Sequence, residues 1–244
     1  MCRWRRVIAA GSVAAAFCVV ASCVSAAPVE GSDSARSIFF SGTDLWRDGS
    51  FAYGGLLWSP GGLDREGFTF KALLTAGVYR YNSGALGGAQ VTGVASAGRF
   101  FPGWRFKGRN LELKVFAGLD IESHRLSPDD PSSGLRGHDI GLTVAFDLWY
   151  EPAPNTMLAL YGSLSSIAAT YSARAAFGWR VSELFYIGPE AQIFGCVGYD
   201  QLRAGLHLTA LRIGETEWSI AAGWTQDSDH RYGRYGRLGV LIRR

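Results

Sequence analysis

The sequence predicts an all-β protein, an antiparallel up-and-down transmembrane β-barrel of about 12 strands. Polar and apolar residues alternate along most of the chain, and the alternating segments number twelve. An even number of strands is typical of bacterial single-chain barrels. No apolar run of 18 residues follows residue 27, so no membrane-spanning helix is expected after that point. A closed barrel is the other structure that satisfies its own backbone in lipid.

The alternation is clearest in residues 111–122, where successive side chains belong to two different sets. A strand separates such sets because neighbouring side chains point to opposite faces, whereas a helix mixes them. One face carries Leu111, Leu113, Val115, Ala117, Leu119 and Ile121, and the other carries Glu112, Lys114, Phe116, Gly118, Asp120 and Glu122. Residues 138–149, 171–180, 202–210 and 217–225 repeat the pattern.

The whole chain divides into twelve predicted strands, most of them long enough to cross a bilayer at a tilt. They are residues 37–47, 50–59, 66–81, 89–101, 109–124, 136–150, 155–166, 169–181, 185–195, 198–213, 215–227 and 232–242. With both termini in the periplasm, the longer connections 82–88, 125–135 and 228–231 face outward. The short connections 151–154, 182–184 and 214 face inward, which is the outer-membrane pattern.

Residues 1–26 predict a secretory signal peptide, which leaves 27–244 as the barrel domain. Met1–Arg6 is basic, the apolar stretch 7–24 follows, and Val24-Ser25-Ala26 offers small residues for cleavage. An uncleaved anchor is an alternative. Val20-Ala21-Ser22-Cys23 also resembles a lipobox, so lipoprotein cleavage at Cys23 is another. All these readings send the chain out of the cytoplasm, and the barrel fold predicts the outer membrane, with its lipids as partners.

Charge and cysteine content exclude several classes of function. Arg3, Arg5 and Arg6 account for the formal net charge of +3, so the remaining chain is neutral and has no global reason to bind nucleic acid. Cys2, Cys18 and Cys23 all lie in the presequence, which leaves Cys196 alone. One cysteine forms neither an internal disulfide nor a thiolate metal site.

Aromatic residues cluster near the ends of the predicted strands, as in the interfacial girdles of membrane barrels. Ordinary core aromatics of a soluble sandwich are the alternative. The predicted girdle residues are Phe39, Phe40, Trp46, Trp58, Tyr79, Tyr81, Phe100, Phe101, Trp104, Trp149, Tyr150, Phe185 and Tyr186.

No catalytic motif stands out, so we expect no enzyme, no cofactor and no bound metal. The four histidines lack metal-ligand spacing such as HExxH, and no nucleophile elbow or phosphate-cradling loop occurs. Carboxylates at Glu112, Asp120 and Glu122 share one face. A glycosidase uses a carboxylate pair, but such neighbours are common in strands.

The polar faces of the strands carry charges that would point into the barrel. Unpaired buried charge is costly, so these side chains either pair across the barrel and plug it or line a hydrated lumen that contacts a polymer. The predicted lumen residues are Glu112, Lys114, Asp120, Glu122, Asp147, Arg174, Arg180, Glu190, Arg203 and His207.

Residues 41–70 resemble the BcsS family of cellulose biosynthesis proteins. The most specific block is Trp58-Ser-Pro-Gly-Gly-Leu-Asp-Arg65, and shorter similar stretches include 101–107, 147–152 and 176–180. The likeness extends over nearly the whole chain after the presequence. The family-motif residues are Asp44, Trp46, Trp58, Pro60, Gly61, Gly62, Asp64 and Arg65.

The resemblance implies an accessory role in cellulose synthesis, exopolysaccharide secretion and biofilm formation, with other cellulose synthase or secretion components as partners. It carries no catalytic residue. We therefore expect a barrel that is either a conduit, with cellulose or a related glucan passing through, or an anchor for the secretion complex. The alternatives are a plugged structural or assembly factor, a periplasmic saccharide-binding β-sandwich and an outer-membrane hydrolase.

Overall fold

A computed structural model of the chain describes residues 35–181 and 183–244, which form a closed barrel of twelve antiparallel strands. Each strand pairs with its neighbours in sequence, and β1 closes the sheet against β12. The strands are β1 Ser37–Trp46, β2 Gly49–Trp58, β3 Gly67–Ser83, β4 Ala89–Lys107, β5 Leu111–Ser127, β6 Gly137–Tyr150, β7 Thr156–Ser165, β8 Tyr171–Val181, β9 Phe185–Cys196, β10 Tyr199–Ile213, β11 Thr216–Asp227 and β12 Tyr232–Arg243. The predicted fold class is confirmed, and the sandwich alternative is wrong because the sheet closes without an edge.

The predicted signal peptide, the alternative cleavage at Cys23 and residue 182 lie outside the described residues. Within the described ranges, no helix is long and apolar enough to cross a membrane. The one helical segment there is the short 3₁₀ turn Ile167–Ala169 between β7 and β8.

The period-two alternation sorts apolar side chains to the outer surface and charged side chains to the interior. Outward residues such as Leu74, Ile140, Leu142 and Trp224 are exposed in the isolated chain. The faces predicted for 111–122, 138–149, 171–180, 202–210 and 217–225 agree with the structure. This reversal of the usual soluble arrangement is the one that a lipid-facing barrel requires.

β4 is longer than its predicted segment 89–101, because it continues through Pro102 to Lys107. The predicted break between the strands 89–101 and 109–124 was therefore placed too early in the chain. Proline lacks an N–H group and interrupts a ladder only on the side that this group would face. Pro102 pairs with Phe70 of β3, while the β4–β5 register skips from Phe100↔Leu119 to Gly103↔Phe116. The proline therefore disturbs one ladder without ending the strand.

The barrel has two ends, which we name by the chain termini. At the terminal end, Arg36 N–H donates to the Arg244 carbonyl over 2.7 Å. The opposite, distal end carries the connection 128–136, which is about as long as the terminal-end connection 59–66. The predicted contrast between long outward loops and short inward turns is therefore weak in the structure.

Only some of the predicted girdle aromatics lie on the outer surface. Phe39, Trp58, Phe100, Trp104, Tyr150 and Phe185 point outward, whereas Phe40, Trp46, Tyr79, Tyr81, Phe101, Trp149 and Tyr186 point inward. Adjacent residues on a strand face opposite sides, so a sequence cluster such as Phe39-Phe40 is divided between the two faces. The prediction was wrong for the inward seven, which pack in the interior.

Two strand glycines provide a test of how closely the strand backbones pack. A Cβ added at the inward Gly118 would lie 1.9 Å from the carbonyl oxygen of Phe100, whereas one added at the outward Gly236 would meet nothing within 4 Å. We expect Gly118→Ala to lower the free energy of unfolding by roughly 1–3 kcal/mol, as overpacking does. Gly236→Ala should be almost neutral. Urea unfolding in detergent, followed by tryptophan fluorescence, measures both, and equal costs would contradict this packing.

Candidate functional site in the barrel interior

All ten predicted lumen residues point into the barrel. Arg174 and Arg180 are half-buried, and the other eight are buried: Glu112, Lys114, Asp120, Glu122, Asp147, Glu190, Arg203 and His207. They are buried because other interior side chains cover them, so their surroundings are protein atoms. The structure brings most of them together in ion pairs, in several small networks along the barrel.

Three ion pairs cross the interior and join strands that are three positions apart in the barrel order. Lys71 Nζ lies 3.2 Å from Asp147 Oδ2 and links β3 with β6. Arg203 Nη1 lies 2.8 Å from both carboxylate oxygens of Asp44 and links β10 with β1. Arg237 Nη2 lies 2.6 Å from Glu190 Oε2 and links β12 with β9. These pairs, which we call cross-lumen pairs, join strands that are not neighbours in the sheet.

Aromatic rings surround the cations of two cross-lumen pairs. Lys71 Nζ lies 5.0 Å from the ring centre of Phe116 and 5.7 Å from that of Tyr161. The guanidinium carbon of Arg203 lies 4.7 Å from the ring centre of Phe194 and 4.9 Å from that of Trp46. A cation over an aromatic face is stabilised by the ring quadrupole, more strongly where water is excluded. The aromatic residues also occupy space that an open lumen would need.

Two further groups of interior charges are paired around Glu190 and Arg99. Glu190 accepts hydrogen bonds from Arg174 and Tyr235 as well as from Arg237. Arg99 lies 3.0 Å from Asp120 and 2.8 Å from Glu122. Glu122 also contacts His124 at 3.1 Å. Charge-assisted contacts of this kind offset the loss of solvation that burial imposes.

His207 and Arg180, two further predicted lumen residues, have hydrogen-bond partners of their own. The ring nitrogens of His207 lie 2.9 Å from the Thr209 hydroxyl and 3.1 Å from the Phe177 carbonyl oxygen. Arg180 Nε donates to the Tyr186 hydroxyl over 3.0 Å. Among the described residues, no group of three or more His, Cys, Asp or Glu side chains could hold a metal ion.

Sequence reasoning missed several interior charges, among them Lys71, Arg99, Arg105 and Arg237. Each of these four is buried and has outward-facing neighbours on both sides along its strand. In the sequence, a single charged residue between two apolar or small residues that face outward would have indicated such an interior charge. That signal is weak here because the inward positions of β3, β4 and β12 also hold apolar residues and glycine.

The distal end is covered by residues 128–136, which we call the distal cap. Leu135 of the cap is fully buried and belongs to the interior apolar cluster. The Tyr81 hydroxyl donates to Asp130 Oδ2 over 3.0 Å, and the Ser132 backbone N–H donates to Asp130 Oδ1 over 3.0 Å. Burial disfavours the ionised carboxyl, but the hydrogen bond from the Ser132 hydroxyl, with those from the Ser132 N–H and Tyr81, outweighs it and holds the pKa of Asp130 below its usual range.

Residues 59–66 lie at the terminal end between β2 and β3, and we call them the terminal turn. Leu63 N–H donates to the Ala35 carbonyl over 2.8 Å, and its own carbonyl accepts from Arg105 Nη1 and from Lys107 Nζ. Gly62 has φ +103°, a backbone conformation that favours glycine. The family-motif residues thus fall into two places. Asp44 and Trp46 contact Arg203 inside, whereas Trp58 points outward and Pro60, Gly61, Gly62, Asp64 and Arg65 form the turn.

Comparison with known proteins places these features in a family. The family model for the cellulose biosynthesis protein BcsS matches residues 38–244, which is nearly the whole described barrel. The chain belongs to the BcsS family. Members of this family are assigned to cellulose biosynthesis, and the resemblance drawn from the sequence is confirmed. No curated protein matches the chain significantly.

Solved outer-membrane barrels share the fold at low sequence identity. The KdgM porin matches with a TM-score of 0.51 and 12% identity, over 84% of this chain and 98% of that chain. The KdgM porin in complex with disordered oligogalacturonate matches with a TM-score of 0.52 and 11% identity, over the same shares. The translocator domain of the autotransporter NalP from Neisseria meningitidis gives 0.48 and 15% identity, over 88% and 90%. At these identities the KdgM likeness shows the fold alone.

The Asp44–Arg203 pair allows a double-mutant cycle. Asp44→Asn leaves a buried guanidinium without its counter-charge, which should cost roughly 3–5 kcal/mol of unfolding free energy. Arg203→Met should also destabilise, while the double variant should lose much less than the two single losses together. Urea unfolding in detergent provides the measurement. The exposed pair Asp129–Arg136 is the control and should show no measurable coupling. Additive losses at Asp44 and Arg203 would contradict the pairing.

The pKa of Asp130 predicts a pH dependence for the distal cap. Because the folded pKa is lowered, the stabilisation is fully present above the ordinary carboxyl value of about 3.9 and is lost as the pH falls through the lower folded value. Amide protection factors of 128–136 should therefore be high at neutral pH and fall in acid. Asp130→Asn should reduce protection at neutral pH and remove this acid step. A cap equally protected in that variant would contradict the role of the carboxylate.

Proposed function

We propose that this BcsS-family protein is a sealed outer-membrane barrel that anchors other components of the cellulose secretion system. Family membership supports the link to cellulose biosynthesis. The fold, shared with outer-membrane barrels, and the apolar outer surface support placement in that membrane. The choice of an anchor over a conduit rests on the ion pairs inside the barrel.

The observation that carries the proposal is the set of three cross-lumen ion pairs. These pairs occupy the interior that a glucan chain would pass through, so we expect its passage to separate Lys71 from Asp147, Arg203 from Asp44 and Arg237 from Glu190. Separating buried partners costs about 3–5 kcal/mol for each pair. Three such losses are comparable with the whole stability of an ordinary domain, about 5–15 kcal/mol. The paired interior therefore favours a barrel that remains closed while it works.

Both ends of the barrel add to this closure. The distal cap buries Leu135 in the interior apolar cluster, and the terminal turn places the Leu63 carbonyl on Arg105. One structural neighbour is a porin solved with oligogalacturonate. That likeness concerns the fold and lends no weight to a conduit here.

We propose no catalytic role for the interior carboxylates. Glu112, Asp120 and Glu122 lie within ion-pair distance of Lys114 or Arg99. A glycosidase needs one protonated and one ionised carboxyl group on either side of an accessible bond. Buried and paired carboxylates do not offer that arrangement, so we expect purified protein to show no hydrolysis of cellulose or lipid.

The terminal turn is the surface that we propose for contact with partners. Asp64 and Arg65 are exposed, with more than half of each side chain accessible, and their mutual contact is long at 4.0 Å. They contribute little to the barrel interior, so they are available to other proteins. With the termini in the periplasm, this end faces the compartment where secretion components assemble.

Substitution of the terminal turn tests the anchoring role. We expect Asp64→Ala/Arg65→Ala to keep a barrel with a normal heat-shifted band on gels, but to lower co-purification of cellulose secretion components several-fold. The double variant Asp129→Ala/Arg136→Ala, at the distal end, is the matched control and should retain them. Normal co-purification with the terminal-turn variant, together with loss in the distal variant, would contradict the proposed surface.

A further inference from the structure

A second feature of the terminal end is a group of cations that we call the terminal basic cluster: Arg105, Lys107 and Lys114. All three surround one carboxylate. Lys114 Nζ lies 2.5 Å from Glu112 Oε1, Arg105 Nε lies 3.8 Å from the same oxygen, and Lys107 Nζ lies 3.9 Å from Glu112 Oε2. Three cations therefore share a single counter-charge.

This imbalance distinguishes the cluster from the other interior networks. Lys71 and Asp147 form a balanced pair, as do Arg203 and Asp44. The group of Arg174, Arg237 and Glu190 exceeds balance by one positive charge. The terminal basic cluster exceeds it by two. A buried surplus of like charge is unfavourable unless an anion offsets it.

The strand register increases the repulsion within the cluster. Arg105 of β4 lies directly opposite Lys114 of β5. Like charges at directly opposed positions destabilise a sheet. Arg105 is 1% exposed and Lys114 is 4% exposed, so bulk water screens them little.

The hydrogen bonds of Arg105 are incomplete. Nη1 donates to the Leu63 carbonyl, but Nη2 and Nε have no hydrogen-bond partner among residues 35–181 and 183–244. A guanidinium presents its donors as a planar fork that suits two oxygens of one carboxylate or phosphate. The two unpartnered donors of Arg105 are adjacent and form such a fork.

The nearby acidic residues do not supply the missing charge. Asp147 lies opposite Lys114 in the register but is paired with Lys71. Arg243, within electrostatic range of Arg105, adds a further positive charge and is paired with Glu217 at 3.0 Å. Asp64, also within range, is exposed to solvent on the terminal turn.

We propose that the terminal basic cluster binds a small oxyanion, a phosphate or carboxylate group, that enters from the terminal end. Two oxygens of the anion accept hydrogen bonds from Nη2 and Nε of Arg105, and Lys107 and Lys114 complete the charge balance. The terminal turn, whose Leu63 carbonyl already contacts Arg105 and Lys107, forms one wall of the site. This site is independent of the anchoring role, since it depends only on the cluster.

Unfolding of the full chain in detergent, with and without anions, tests the proposal. Inorganic phosphate and acetate are titrated separately against chloride at constant ionic strength. We expect at least one of them to raise the unfolding midpoint with a saturable dependence, because a ligand that binds only the folded state stabilises it by mass action. A response to phosphate alone assigns a phosphate site, and a response to acetate alone assigns a carboxylate site.

Substitutions within the terminal basic cluster test whether the anion binds there. Arg105→Gln and Lys107→Gln should each weaken the apparent affinity at least tenfold. Lys107 is the last residue of β4 and is partly exposed, so its variant keeps the test possible if Arg105→Gln fails to fold. Arg80→Gln, at an exposed outward arginine near the distal end, is the matched control and should leave the affinity unchanged. No saturable shift with either anion overturns the proposal. An equal shift in the wild type, Arg105→Gln and Lys107→Gln overturns it as well.

Discussion

The charges inside the barrel must find partners, and the rest of the structure depends on that requirement. A strand that faces lipid on one side has to place its polar residues on the other side. In a narrow closed barrel those residues meet one another with little water between them. Ion pairs such as Lys71–Asp147 and Arg203–Asp44 satisfy this requirement by crossing the interior. The same pairs help to fill the interior, since each one brings together long side chains from strands three positions apart.

The sequence predicts this fold well because the dominant signal is local. Alternation through 111–122 assigns both the strand and its two faces. The charged residues Glu112, Lys114, Asp120 and Glu122 lie inward as expected. Local sequence signals fail where pairing with a neighbouring strand determines where a strand ends. Pro102 suggests a strand end, but its missing N–H affects only the β5 side while β3 keeps the strand in place. Aromatic clusters such as Phe100-Phe101 suggest a girdle, yet adjacent residues face opposite sides.

The interior charges were partly predictable, but their pairing was not. Arg203 and Asp44 are far apart in sequence and meet only because β1 closes against β12. Closure also decides whether a polar face becomes a hydrated lumen or a packed interior, which composition alone leaves open. Arg105 was missed because its inward neighbours on β4 are mostly small or apolar. Its incomplete hydrogen bonds are visible only in the folded chain.

Single-channel recording in planar lipid bilayers measures closure of the barrel most directly. Purified wild-type protein should insert and show no sustained conductance, because side chains fill the lumen. The triple variant Lys71→Ala/Arg203→Ala/Arg237→Ala, which lacks all three cross-lumen cations, should open ion-conducting events, whereas Arg180→Ala should remain silent. Sustained open-channel currents from the wild-type protein would contradict a sealed barrel and favour a conduit.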